Sequence, residues 1–136
     1  MNCPHCDSAV VAFAIPADLR EYAAGDAAAS ICPNCLTVES AAAAAAEDDP
    51  AFSRVHESFP SGDGGAAFAL LVATLPSIAL RKADARAIRE RAEREGVDTA
   101  LAFDRLVDAV HDAEVAPAFD LERRVRQLDS LLDPSE

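Results

Sequence analysis

Cys3-Pro4-His5-Cys6 and Cys32-Pro33-Asn34-Cys35 repeat the pattern Cys-Pro-x-Cys, with 25 residues between the two copies. Two residues between thiolates let one tight turn present both sulfurs to a single ion. Proline after the first Cys fixes φ, so the turn needs less ordering. Two such turns brought together complete a tetrahedral S4 site at about 2.3 Å, the arrangement zinc prefers. The pattern uses every cysteine of the chain. Cys3, Cys6, Cys32 and Cys35 are therefore the candidate ligands of one Zn2+ per chain. Four protein ligands leave no open coordination position, which points to a structural ion. Two local disulfides or redox pairs are the competing reading, but nothing around either motif resembles a thioredoxin unit. Iron in the same cage stays open, since softness and geometry suit both metals.

The residues between and beside the knuckles carry the strand signal. Val10-Val11-Ala12-Phe13-Ala14-Ile15 reads as a strand that Pro16 ends. Asp18 to Tyr22 is a candidate helical turn in an excursion closed by Gly25-Asp26. Ala29-Ser30-Ile31 leads back into the second knuckle, and Leu36-Thr37-Val38 leaves it. Knuckle, strand, excursion, strand, knuckle, strand is the order of a zinc ribbon, and residues 1–40 are assigned to such a module. Forty residues bury too little apolar surface to fold without a staple, which the metal supplies.

Residues 41–48 read as an Ala-rich linker kept solvated by Glu47-Asp48-Asp49. Six alanines favour helix but are too few to hold one without packing. Residues 49–136 read as a helical bundle, making the whole an α+β chain. Asp49-Pro50 opens a short helix with Phe52, Val55 and Phe59. Pro60 to Gly65 reads as a loop. Ser61-Gly62-Asp63-Gly64-Gly65 superficially resembles a phosphate loop but has no Walker lysine and no strand before it. Ala66 to about Ala79 is apolar nearly all round, the mark of a central buried helix that Pro76 kinks or ends. Ala83 to Glu95 is amphipathic and stops at Gly96. A further helix capped by Asp98 or Thr99 shows the face Ala100, Phe103, Leu106, Val107 and Val110. Pro117 starts the last, with Leu121, Val125, Leu128 and Leu132 in one stripe.

Composition narrows the functional classes. The chain has 136 residues and a formal charge of -12, from 24 acids against 12 bases, of which only Lys82 is lysine. Such an acidic, Lys-poor, Ala-rich balance suits molar salt, where the Debye length falls to about 3 Å and like charges repel less. No basic region followed by an apolar run opens the chain, so no signal peptide is expected. The longest apolar stretch, 66–75, is about half of what a membrane span needs. A cytoplasmic location follows, where thiols bind metal rather than pair.

The only basic segment is Arg81, Lys82, Arg86, Arg89, Arg91 and Arg94. It is either a nucleic-acid face or a solvated helix laced by i,i+4 pairs: Arg86–Glu90, Arg89–Glu93, Glu90–Arg94 and Arg91–Glu95. With four acids interleaved the second reading is favoured. Ala92-x-x-x-Gly96-Val97 hints at a helix-turn-helix, yet the would-be recognition helix carries Asp98, Asp104, Asp108 and Asp112 against Arg105 alone. Acids there would face phosphates. His5 could stand in for a Cys ligand, although the middle residue of a knuckle points to solvent. His56 and His111 read as ordinary surface or boundary histidines. No Ser–His–Asp arrangement, spare thiol or distinctive carboxylate pair suggests catalysis, and no small-molecule substrate is evident.

At its paired knuckles the chain resembles the small zinc-finger and zinc-ribbon proteins of haloarchaea. Over most of its length it resembles an uncharacterised haloarchaeal family, through CPHC, IPADLREYA, ICPNC, AEREGVD and DLERRVRQLDSLL. The resemblance implies fold and habitat and brings no activity. Zinc ribbons often place Gly after the second Cys of each knuckle, where this chain has Asp7 and Leu36, so a less regular knuckle is expected. The function these readings imply is a non-enzymatic zinc-binding adaptor with a protein partner. The alternative is a nucleic-acid-binding transcriptional or translational regulator using the ribbon or the 81–94 helix.

Overall fold

The computed structural model describes residues 2–133. Strands β1 (Val11–Ala14), β2 (Ala28–Ile31) and β3 (Val38–Ala41) form an antiparallel sheet in the order β1-β2-β3. Val11 faces Ile31 across the first pair, and Ile31 faces Val38 across the second. Pro16 ends β1, and the excursion folds as a 3-10 helix over Ala17–Ala23 that buries Leu19. Four α-helices follow: α1 (Gly62–Thr74), α2 (Lys82–Arg94), α3 (Thr99–His111) and α4 (Leu121–Leu132). The chain is an α+β fold, with the small sheet near its N-terminus.

Helix α1 is the hub. From Gly64 to Val72 every residue is buried, as its all-round apolar sequence requires. It begins four residues before the expected start. Gly62 to Gly65 form its first turn rather than a loop, because two of these glycines mark close approach. A Cβ on Gly65 would fall 2.6 Å from the Phe52 ring and against the Pro60 carbonyl, and one on Gly64 would lie 2.8 Å from Val97. After Thr74 the chain tightens into a 3-10 turn over Leu75–Ser77, since Pro76 has no N–H for the α-helical ladder.

Residues 50–58 form no α-helix. A 3-10 turn over Phe52–Arg54 is followed by a turn in which the Ser58 N–H donates to His56 Nδ1 at 3.1 Å, and the Phe59 N–H donates to the His56 carbonyl. These local bonds replace a helical ladder that so short a segment cannot sustain. The apolar purpose survives, for Phe52, Val55 and Phe59 are all buried.

Those side chains join sheet to helices. Phe13, Phe52, Phe59, Phe68 and Phe103 touch in succession, with ring centroids 4.7–5.4 Å apart. The series starts on β1 and ends on α3. Val11, Phe13, Ile15 and Ile31 accordingly share one continuous core with α1, α2, α3 and α4. The boundary at 41–48 does not separate two cores. That segment lies along the outer edge of β1, where the Glu47 N–H donates to the Ala12 carbonyl and the Ala12 N–H to the Glu47 carboxylate. Its alanines form only a 3-10 turn, Ala43–Ala45.

Helix α3 is capped by Asp98, whose carboxylate accepts from the Leu101 N–H at 3.0 Å. Its buried face is Ala102, Phe103, Leu106 and Ala109, rotated from the expected one so that Ala100 is exposed. Pro117 does not start the last helix. Asp120 caps α4 by accepting from the Arg123 N–H, and residues 112–120 run as an irregular strap.

Candidate metal centre

The two knuckles have the same backbone. In the first, the Asp7 N–H donates to the Cys3 carbonyl at 2.8 Å and the Cys3 N–H to the Ser8 carbonyl. In the second, the Leu36 N–H donates to the Cys32 carbonyl at 3.0 Å and the Cys32 N–H to the Thr37 carbonyl. Both turns need a left-handed residue after the second Cys, and Asp7 and Leu36 supply it, each at φ 61°. The irregular knuckle expected from the missing glycines is not found. Leu36 is held in that conformation by burial, being 1% exposed in the main core. A branched residue there costs roughly 1–2 kcal/mol relative to glycine.

The turns bring the four sulfurs together, all within 4.8 Å of one another. Cys3 Sγ lies 3.6 Å from Cys35 Sγ, and Cys6 Sγ lies 3.3 Å from Cys32 Sγ and 3.8 Å from Cys35 Sγ. A tetrahedral ion with sulfurs at about 2.3 Å sets them about 3.8 Å apart, so the cluster has the size of a zinc cage. The thiols are free rather than joined as disulfides. Backbone donors already face the sulfurs: the His5 N–H reaches Cys3 Sγ and the Cys35 N–H reaches Cys32 Sγ, each at 3.4 Å. Such donors stabilise thiolate charge.

Cys6 and Cys32 sit in unlike surroundings. Hydrogen bonding with the Ser8 side chain and backbone, then with Cys32, pulls Cys6 down to about 6. Burial pushes Cys32 up to about 12. A bound cation reverses the second effect, because coordination deprotonates a thiol. His5 lies outside the cage and pairs with Glu39 at 3.3 Å, with much of its ring exposed. His111 pairs with Glu122 on the surface, and half-buried His56 serves its own turn.

The cage is a satellite of the main core. Cys3, Cys32 and Cys35 are buried together with partly buried Cys6 and Val10 beside them. The helical part reaches it at three points. Arg54 donates to the Ala9 carbonyl at 3.0 Å, the Ala116 N–H to the Asn34 carbonyl at 2.8 Å, and the Ala118 N–H to the Cys35 carbonyl at 2.9 Å. No sequence motif advertised these backbone contacts.

The basic segment is largely occupied by other parts of the chain. Arg91 pairs with Asp18, Asp63 and Glu95, joining the excursion of the ribbon, the start of α1 and α2. Arg81 donates to the Tyr22 carbonyl and pairs with Asp84. Arg89 makes a two-pronged bond to Asp133 at the end of α4, while its Nε is buried without a partner among the described residues. Hydrogen bonds from Arg91 and Arg89 hold the Asp18 and Asp133 carboxyls below the usual range. Among the described residues only Arg91–Glu95 forms of the four expected i,i+4 pairs, because Arg89 turns toward α4 and Arg86, Glu90 and Arg94 make no ion pair. No helix among the described residues is long and apolar enough to cross a membrane.

The chain matches the family described as "Family of unknown function (DUF6276)" over residues 2–132, and it belongs to that family. No curated protein and no solved structure matches it.

Proposed function

We propose that this member of the DUF6276 family is a non-catalytic adaptor of the cytoplasm, built around one structural Zn2+ held by Cys3, Cys6, Cys32 and Cys35, that works by docking to a protein partner. The observation that carries the metal assignment is the cage itself: four free thiols from two knuckles of the same hydrogen-bond pattern, at the spacing of an S4 zinc site. Four protein ligands fill a tetrahedral ion's coordination, so the ion stabilises rather than reacts.

A protein partner is favoured over nucleic acid by what the arginines do. Arg81, Arg89 and Arg91 bind the chain's own carbonyls and carboxylates. That leaves Lys82, Arg86 and Arg94 of the basic segment, against a net charge of -12. Exposed Asp104 and Asp108 on α3 would repel a phosphate backbone. The test has two arms. Purification of the tagged, metal-loaded chain from its native cells should bring down a stoichiometric protein, identified by mass spectrometry. Binding to DNA and RNA, titrated from dilute to molar salt, should stay at the non-specific level. A sequence-selective nucleic-acid complex with no protein partner would replace the adaptor by the regulator. A visible absorption band from the purified protein would replace zinc by ferric iron in the same cage.

A further inference from the structure

The strap at 112–120 has a construction of its own. Helix α3 ends in a Schellman motif, with the Ala113 N–H donating to the Val110 carbonyl and the Glu114 N–H to the Ala109 carbonyl. Ala113 takes the left-handed conformation this requires, at φ 59°. Beyond it the chain has no regular secondary structure and passes over the second knuckle. Alternate residues Ala116 and Ala118 aim their N–H groups at the carbonyls of Asn34 and Cys35. Pro117 falls between them, has no N–H to offer, and interrupts neither bond. Val115 anchors the near end in the main core, being 3% exposed. The far end passes through half-buried Phe119 into the Asp120 cap of α4.

We propose that this strap is a latch closed by the metal, an inference that rests on the zinc reading above. The backbone of Cys35 is used on both of its sides. The Cys35 N–H points at Cys32 Sγ, and the Cys35 carbonyl receives the strap. An ion joining Cys32 to Cys35 would fix the two peptide units that flank Cys35, which carry the two acceptors the strap needs. When the ion leaves, the second knuckle loses its cross-link to the first, and buried Leu36 alone still anchors the turn, so the carbonyls of Asn34 and Cys35 are held less firmly. The strap then loses both hydrogen bonds, and residues 116–118, between the anchors Val115 and Phe119, lift off the knuckle. The aromatic series from Phe13 to Phe103 includes no ligand and passes through no part of the strap, so α1 stays packed. Metal occupancy is thereby written onto a surface about a hundred residues away in sequence from the first ligands.

Amide hydrogen exchange on the full chain, with zinc and after chelation, reads the latch directly. Metal content is measured first. Exchange at Ala116 and Ala118 should accelerate by about tenfold or more on zinc removal, while amides of 66–72 keep their protection. The reciprocal experiment is Ala118→Pro, which deletes one strap donor and touches no ligand. By linkage it should weaken zinc binding roughly three- to tenfold in competition with a chromophoric chelator. A chain that takes up no zinc overturns the metal reading and the latch together. One zinc per chain with strap exchange unchanged on its removal overturns the latch alone, as does loss of protection in 66–72 at the same rate as in the strap. Should Ala118→Pro fail to fold, the exchange comparison on the unmutated chain still decides.

Discussion

Replacing Gly65 by alanine pits helix propensity against packing at the first turn of α1. Alanine in place of glycine inside a helix is worth about 1 kcal/mol in isolation. Here the new methyl carbon would lie 2.6 and 2.7 Å from two atoms of the Phe52 ring, with the Pro60 carbonyl pressed on it as well. Ordinary carbon–carbon contact is about 3.5–4.0 Å, so the ring has to retreat by about 1 Å. Phe52 is 1% exposed and its ring lies 5.4 Å from both Phe13 and Phe59, so retreat disturbs the join between sheet and helices. Overpacking of this kind costs about 1–3 kcal/mol and at times more, and a backbone oxygen among the contacts puts it at the upper end. The net expectation is a loss of about 2 kcal/mol, or a fall in Tm of roughly 6–10 °C for a chain of this size. Gly64→Ala meets one methyl of half-buried Val97 at 2.8 Å, with no backbone atom among its nearest contacts, and should cost less. Thermal and urea unfolding followed by circular dichroism, at fixed salt and with zinc present, would rank the variants. A Gly65→Ala protein as stable as the parent would refute the close packing of Phe52 on α1.

Metal analysis should find one zinc per chain, and Cys32→Ser should release it, because binding energy on the order of 10 kcal/mol is folding energy for such a site; full occupancy in that variant would reject the ligand set. Most helical circular dichroism should survive the loss, since the main core includes none of the cysteines. Burial first, and then the neighbouring Asp133, raise the Asp129 carboxyl. A raised acid stabilises the fold below its unfolded pKa and ceases to do so as pH rises through its folded value. Asp129→Asn should therefore raise Tm modestly at pH 7, and the gain should shrink as pH falls toward the carboxylate range. Asp18 is the opposite case, held low first by its hydrogen bond from Arg91. The Arg91→Ala deficit in Tm should accordingly be present at pH 7 and fade as pH falls through the folded pKa of Asp18; a deficit unchanged at low pH would show that lost packing, not the ion pair, is responsible.

What sequence made legible was whatever depends on local chemistry. The paired knuckles place four sulfurs within reach, Pro16 ends β1, Gly96 stops α2 at φ 87°, and Asp98 caps α3. What it hid depends on tertiary neighbours. Gly64 and Gly65 look like turn residues, but they are small so that Val97 and Phe52 can approach a helix. Pro117 looks like the first residue of a helix, but it sits in the irregular strap between the two residues whose N–H groups bond to the knuckle. Arg89 has an acid four residues on, yet it bonds to one supplied by another helix. The left-handed positions after each knuckle are filled by residues that tolerate them through context, Leu36 by burial and Asp7 with its carboxylate bonded to the Asn2 side chain at 3.2 Å.

The contact between Glu47 and Ala12 gives the alanine tract a duty as a guard against self-association. β1 is an outer strand of the sheet, and its free side offers donors and acceptors to any other extended chain. Residues 43–47 lie across that side and occupy the N–H and carbonyl of Ala12. The tract therefore has a required length. Shortening it by two alanines would pull Glu47 off the strand and leave β1 open to pair with a neighbouring molecule. The first sign of such a deletion would be aggregation at high protein concentration, before any fall in melting temperature.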